Sequence, residues 1–383
     1  MMQFLNAEPV SPRRIVYTGD FLRPNPAGDR PTQHHNIRWL RNLVSSQVAM
    51  ATRLPHSVFS WGAADVNDGG LGIGDVQAFY QFLGLPLTIK AWASIHAADQ
   101  LPWRLEAILD HVFGDSLVVG FELPPYLEKF LTRRRIPWVA FTVHPVRFLD
   151  DLLLGMRSNI PAVQERIYPH RINEDYIRTM AGVQKAAAAR YFPDRIRDGS
   201  ALFLMQTWYD QSQIENGEFV SAERYIDQIA GIAAQHQEFL IKEHPMAPNP
   251  ATPILRARIP NHRMVKGNVY GYLSVPEIRT IATISSSVRQ EANYFGVANQ
   301  ALLGDAVLLR RAPEDPVHGF VGIEGGFLAP DFWRDILAPV MQVTPADGVS
   351  VPYKPNRLRT SMRAFWNFNE IDTDIAVSLV RKA

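Results

Sequence analysis

The chain has 383 residues, 46% of them apolar, with 39 Lys and Arg against 38 Asp and Glu and no cysteine. This size accommodates two domains, and the near-cancelling charge excludes a broad basic field of the kind that attracts nucleic acid. Without cysteine there is no disulfide, thiolate metal site or cysteine nucleophile, which suits a reducing compartment.

The first residues, Met1-Met-Gln-Phe-Leu-Asn, lack both a basic start and a long apolar run, so no secretory signal is expected. No window approaches the roughly 18 apolar residues of a bilayer span. Arg14 to Gly19 reads as a strand, and His35 to Val48 as a helix with Ile37, Leu40, Leu43 and Val44 on one face. Val58 to Trp61 reads as a second strand, Asp75 to Leu83 and Leu101 to Phe113 as helices, and Ser116 to Glu122 as a buried strand. Leu123-Pro-Pro125 opens a helix through Arg133, and Ile136 to Val143 is the next strand. A helix over Asp175 to Tyr191 and the polar stretch Asp194 to Gly199 read as the end of the first domain and a linker.

From Ser200 the alternation restarts. Ala201 to Met205, Phe239 to Lys242, Arg263 to Val265, Thr280 to Ile284 and Gln300 to Leu303 read as strands. Between them Ser221 to His236 (Ser221 as N-cap), Tyr272 to Ile278 and Val288 to Phe295 read as helices, the last stopped by Gly296. Helical patterns return around Phe332 to Met341 and Leu358 to Phe368. Repeated strand–helix–strand units favour parallel sheets with right-handed crossovers. The expected fold class is therefore α/β, with two Rossmann-like domains facing a cleft. The expected boundaries are 1–195 for an acceptor-binding domain, 196–345 for a nucleotide-binding domain, and 346–383 for helices packing back on the first domain.

Three strand ends in the second half carry polar sets, and ligands of open α/β sheets sit outside such ends. The first is Gln206-Thr-Trp-Tyr-Asp210-Gln-Ser212, which taken alone more simply suits a loop bonded to its own backbone. The second is Lys242-Glu-His244-Pro245, a cation and an imidazole before a strand-stopping proline. The third is Ser285-Ser286-Ser287-Val-Arg289-Gln-Glu291, at the start of a helix where hydroxyls and N–H groups can hold an anion. Ser287 with Gln290 also fits a capping box. In the first half, Asp20, His34 and His35 are the expected acceptor contacts, with the stretches Thr32 to Asn36 and Asp65 to Gly70 polar enough to line the same groove. The vicinal histidines more simply start a helix. No third ligand is spaced for a metal. Trp61, Trp92, Trp103 and Trp138 read as core residues, and Arg133-Arg-Arg135 as a solvated helix end, with contact to anionic lipid as the alternative.

The order Gln206-x3-Asp210-x-Ser212, Lys242-x-His244-Pro245, Ser285-Ser-Ser-x3-Glu291-Ala resembles the bacterial capsule-polysaccharide and lipopolysaccharide β-Kdo transferases, and its His-Pro and serine elements resemble those of bacterial sialyltransferases. Kdo is 3-deoxy-D-manno-oct-2-ulosonic acid, drawn from CMP-Kdo. The resemblance covers roughly residues 200 to 305 by motif order, and more loosely Gly120-Phe-Glu122-Leu-Pro-Pro-Tyr126. It implies a GT-B-like fold, a metal-independent transfer of Kdo to a saccharide acceptor, and no cofactor. By the same resemblance Asp210 is the catalytic carboxylate. His244 and Lys242 address the phosphate or the ulosonate carboxylate, with Gln206 and Ser212 beside them. Ser285, Ser286 and Ser287 bind phosphate, Glu291 takes the ribose, and Glu122 serves as acid/base. The chain departs from the family at Glu243, where proline is frequent, and at Arg289, where glycine is usual and the arginine offers an extra anion contact. A cytoplasmic location is expected, with the inner membrane face in reach of a lipid-linked acceptor. Three alternatives stay open: an inverting CMP-sialic acid transferase, a CDP-glycerol or CDP-ribitol phosphotransferase, and an inactive glycan- or nucleotide-binding module.

Overall fold

A computed structural model describes residues 11–62, 70–244 and 248–363. Pro245, Asp65 to Gly69 and the end of the last helical pattern lie outside them.

Two separate sheets carry the fold, and their central strands are apolar runs buried on both faces. The first has the order Val321–Ile323, Leu154–Ser158, Trp138–Val143, Ser116–Phe121, Arg14–Gly19, His56–Val58. Its four strands from His56–Val58 to Trp138–Val143 are parallel, and the two outer ones on the other side run antiparallel to their inner neighbours. The second sheet is fully parallel, in the order His262–Val265, Phe239–Lys242, Ser200–Leu204, Ile278–Thr283, Ala298–Ala301. Numbered within its own unit, that order is 3-2-1-4-5, the Rossmann winding. The expected α/β class with two Rossmann-like units is what the chain builds.

Alternation along each strand feeds two cores. Ile15 and Tyr17 pack on one face of the first sheet with Leu117, Val119, Val139 and Phe141. Val16, Val118 and Ala140 face the other side. In the second sheet Ala201, Phe203, Phe239 and Ile241 share one core, and Leu202, Leu204 and Leu240 the other. This is the period of two that a strand imposes on its side chains.

The expected domain boundaries need correction at both ends. The helix Glu174–Tyr191 packs through Ile177, Ala181 and Ala188 into the second unit's core, so the chain crosses before residue 174 rather than near 195. Conversely, Val321–Ile323 completes the first sheet, and the helix Pro330–Leu337 packs through Phe332, Trp333 and Ile336 on the first unit. The short helix Arg357–Met362 joins it there through Leu358.

Smaller corrections follow from local chemistry. The expected helix from Ser221 begins as a 3-10 turn, Ala222–Tyr225, before Ile226–Ala234, and Ser221 makes no capping bond. Trp103, expected in the core, is 74% exposed at a helix start. Arg133 and Arg134 pair with Glu106 and Asp110 on a neighbouring helix.

Candidate active site

In a doubly wound sheet the crevice lies where the strand order reverses. In the second sheet that point falls between Ser200–Leu204 and Ile278–Thr283. The loops leaving these two strands carry Gln206 to Ser212 and Ser285 to Ser287. In the first sheet the reversal falls between Arg14–Gly19 and Ser116–Phe121, whose ends release Asp20 and Glu122.

The second crevice is organised around one amide. Gln206 Oε1 accepts from the backbone N–H of Ser285 at 3.0 Å and from its hydroxyl at 3.2 Å. Gln206 Nε2 donates to Asp210 Oδ2 at 3.2 Å and to Ser212 Oγ at 2.8 Å. Asp210 Oδ1 accepts from the backbone N–H of Ser212 at 3.0 Å and from its hydroxyl at 2.9 Å. Ser212 Oγ lies 3.0 Å from Ser285 Oγ. Two strand ends are thereby joined, and the half-buried Asp210 carboxylate is fixed by three donors at the start of the 3-10 turn Gln211–Gln213. Asn249 anchors the hub by donating to the Gln206 carbonyl at 2.7 Å.

His244 and Lys242 leave the adjoining strand, half-buried. Burial pushes the His244 imidazole below its usual range; the Asp210 charge opposes that shift, while Lys242 and Arg147 reinforce it. Asp210 and His244 are thus within electrostatic reach of each other. Glu243, the departure from proline, is bonded by the Thr252 hydroxyl at 2.5 Å and the Asn249 N–H at 3.3 Å, so it braces the loop carrying Asn249.

Across the cleft, Glu122 sits in the left-handed region at φ 48°, a conformation uncommon for a residue with a side chain. Its Oε2 accepts from Gln33 Nε2 at 3.1 Å. Burial raises its carboxyl above the ordinary carboxylate range; Arg23, Arg147 and the Gln33 bond pull it down, and the Asp210 charge pushes it up. A cleft of about 400 Å³ beside it is lined by Leu123 to Pro125, Gln211, Ser212 and the turn 303–307.

Several expected contacts are corrected. Glu291 is 1% exposed, and its Oε1 accepts from the backbone N–H of Arg147 at 2.8 Å and from the Tyr270 hydroxyl at 2.9 Å, so it faces the protein rather than a ribose. Burial pushes its carboxyl up to about 7, against those bonds and the nearby Arg147 and Arg359 charges. Arg289 is paired with Asp305 through two nitrogens and with Asn299, which takes it out of the anion role. Asp20 is 3% exposed and accepts from the Leu22 N–H and from the Tyr126 and Trp92 side chains, so it braces the loop instead of meeting an acceptor. Nor does Ser287 form a capping box, since it makes no side-chain cap and Gln290 donates to the Val307 carbonyl instead. The Val288 N–H donates to the Ser286 hydroxyl at 3.4 Å, and the N–H groups of Arg289, Gln290 and Glu291 bond back to the Ser286 and Ser287 carbonyls.

His34 and His35 do start a helix, His34–Thr52, with their rings 5.4 Å apart and His34 Nδ1 3.0 Å from Ser60 Oγ. The residue just before them, Gln33, is the one that touches Glu122. Sequence reasoning had Gln33 only as part of the polar stretch Thr32 to Asn36, and missed Arg23 and Arg147. Arg23 stacks 4.6 Å over Trp92 and donates to Gln211 Oε1 at 2.9 Å and to the Tyr209 carbonyl at 3.3 Å, tying the first unit to the Asp210 loop. Its place four residues after a strand end was the available signal. Among the described residues no group of three or more His, Asp and Glu could hold a metal, and no helix is long and apolar enough to cross a membrane.

No family model matches the sequence, and no curated protein matches it. Among solved structures the chain is similar to the KpsC β-Kdo 2,7 transferase of Thermosulfurimonas dismutans, at 12% identity and a TM-score of 0.34, over 68% of this chain and 88% of that one. It is similar to the KpsC β-Kdo 2,4 transferase of the same organism at 13% identity and a TM-score of 0.30, over 57% and 78%. A third similarity is to the UDP-GlcNAc 2-epimerase of Neisseria meningitidis, at 14% identity and a TM-score of 0.23, over 96% and 99%. Likenesses this distant leave the functional reading to the site itself.

Proposed function

We propose that the chain is a glycosyltransferase that moves Kdo from CMP-Kdo to a saccharide acceptor of bacterial surface polysaccharide, with retention at the anomeric carbon. The observation that carries this reading is the Gln206–Asp210–Ser212–Ser285 network, which fixes one carboxylate at a switch point opposite Glu122. The family resemblance of the same residues supplies the donor.

The leaving group is a phosphate monoester and needs charge stabilisation more than a strong acid. His244, Lys242 and the hydroxyls of Ser286 and Ser287 would provide preorganised donors for it. In the first step an Asp210 oxygen attacks the anomeric carbon and the bond to the CMP phosphate breaks. In the second, an acceptor hydroxyl loses its proton to Glu122 and attacks the same carbon, releasing Asp210. The raised carboxyl of Glu122 suits a group that must take up and hold a proton. The acceptor would enter by the cleft beside Glu122, with His34 and His35 at the nearby helix start. A lipid-linked acceptor would bring the protein to the inner membrane face. No step in this scheme calls for a metal.

Asp210→Asn keeps the side chain's size and one acceptor oxygen for the Ser212 donors, gives up the bond from Gln206 Nε2, and removes the nucleophile. Transfer is expected to vanish while CMP still binds, measured by product formation from CMP-Kdo generated in situ and by calorimetry. Wild-type transfer by the purified variant would defeat the assignment, and inversion in the product, read by NMR, would favour Asp210 as a general base instead.

A further inference from the structure

The peptide at Arg147 is held from both sides by buried charge. Its N–H donates to Glu291 Oε1 at 2.8 Å, and its carbonyl accepts from Arg359 Nη2 at 3.2 Å. Arg359 is fully buried and also donates to the carbonyls of Leu149 at 3.0 Å and Asp151 at 3.2 Å. Asp151 in turn accepts the N–H groups of Leu358 and Arg359, which locks the last described helix onto the same turn. Glu291 belongs to the second unit's helix Val288–Phe295, and Arg359 to the helix Arg357–Met362 on the first unit's core. Buried ionisable side chains are tolerated where they are well bonded, and here both direct their bonds to fixing this one turn.

The residue so fixed stands at the junction of the units: its turn follows the strand Trp138–Val143, which pairs with the strand that releases Glu122, and its N–H is bonded by the second unit's helix. The Arg147 charge acts on Glu122 of the first unit and on His244 of the second. A guanidinium is the cation best matched to a carboxylate or phosphate, because its planar fork can donate two parallel bonds.

We propose that Arg147 is an anion-binding residue of the cleft, gripping the phosphate or the carboxylate of the donor, and that Glu291 and Arg359 are its positioning residues through the clamped 147 peptide. This rests on the CMP-Kdo reading given above, and deepens it by naming a residue that the motif pattern does not contain. It also gives Glu291 a task in place of the ribose contact.

The test uses the full chain with two probes, CMP for the phosphate and free Kdo for the carboxylate, each titrated by NMR. Arg147→Gln is expected to weaken one of them by about tenfold, the worth of a lost charge-assisted bond. The weakened probe tells which anion is gripped. In the same variant the His244 imidazole should titrate at higher pH than in wild type, because a cation opposing its protonation has gone. Glu291→Ala should weaken the same probe in the same direction, and Glu291→Gln, which retains an acceptor for the Arg147 N–H, should restore binding; circular dichroism checks that each variant folds. Unchanged affinity for both probes in Arg147→Gln overturns the inference while leaving CMP binding by the wild type intact. Wild-type protein that binds neither probe overturns both the inference and the donor reading beneath it.

Discussion

Asp20 stands at the first switch point, yet its oxygens are turned to Leu22, Tyr126 and Trp92. Burial lifts its carboxyl from 3.8 to about 6, with Arg23, Tyr126, Leu22 and Trp92 all opposing the shift. A folded value above the unfolded one favours the protonated form. That contribution to stability is complete below about pH 4 and is lost as pH rises through about 6. Asp20→Ala strands three donors, two of them on buried aromatic side chains, and should lower unfolding stability by about 3 kcal/mol in a urea titration. Glu122 carries the opposite demand. As a base it must be ionised, so transfer should fall as pH drops through its raised value. Arg23 pulls that value down, so Arg23→Gln should move the acidic limb of kcat/KM to higher pH; a limb that stays in place would separate Glu122 from the reaction. Asp210, Gln206, Ser212 and the serines were legible because they follow strand-like apolar runs directly. The true partners of Glu291 and Arg289 were not, since they lie 144 and 16 residues away along the chain.

Elements are positioned for this chemistry by close backbone approach. A Cβ on Gly19 would lie 2.5 Å from the Phe121 carbonyl oxygen and 2.9 Å from Ile37 Cγ1, at the end of the strand pair that delivers Asp20 and Glu122. Gly19→Ala must therefore part that strand pair from its covering helix. A loss of about 2 kcal/mol and a lower thermal midpoint are expected, with reduced transfer; a neutral substitution would show that the strand ends can shift freely. The helix Val288–Phe295 was read to the residue, because Gly296 closes it at φ 69°. The strands Leu154–Ser158 and Val321–Ile323 were not read. The first follows a polar turn and the second has only three residues, so neither presents a clear alternation.

For the molecule as a whole, the two units are joined by apolar as well as polar contacts, for Trp208, Tyr209, Ile214 and Phe219 pack against the first unit's core, with Phe219 6.1 Å from Trp92. Arg23 reaches from the first unit to the Asp210 loop, and Glu291 and Arg359 hold the crossing turn at 147–151. Arg23→Ala removes a polar bridge and leaves Phe219 packed against Trp92. Melting and the small-angle scattering profile should change little, and transfer should drop by about tenfold as the Asp210 loop loses its alignment with Glu122. Full activity in this variant would mean that the apolar contacts and the crossing turn alone set that alignment.

Apolar runs of strand length, their spacing and the polar residues just beyond them are local properties, so the two-unit α/β fold and the Gln206 to Ser212 loop could be read directly from the amino acids. Which unit owns the helix Glu174–Tyr191 and the strand Val321–Ile323 could not, because both are settled by burial against residues far along the chain. The same holds for the acids: Asp20, Glu122, Asp210 and Glu291 look alike in one dimension. Folding alone buries Asp20 and Glu291 among the protein's own donors and leaves Glu122 and Asp210 half-buried, one in each unit.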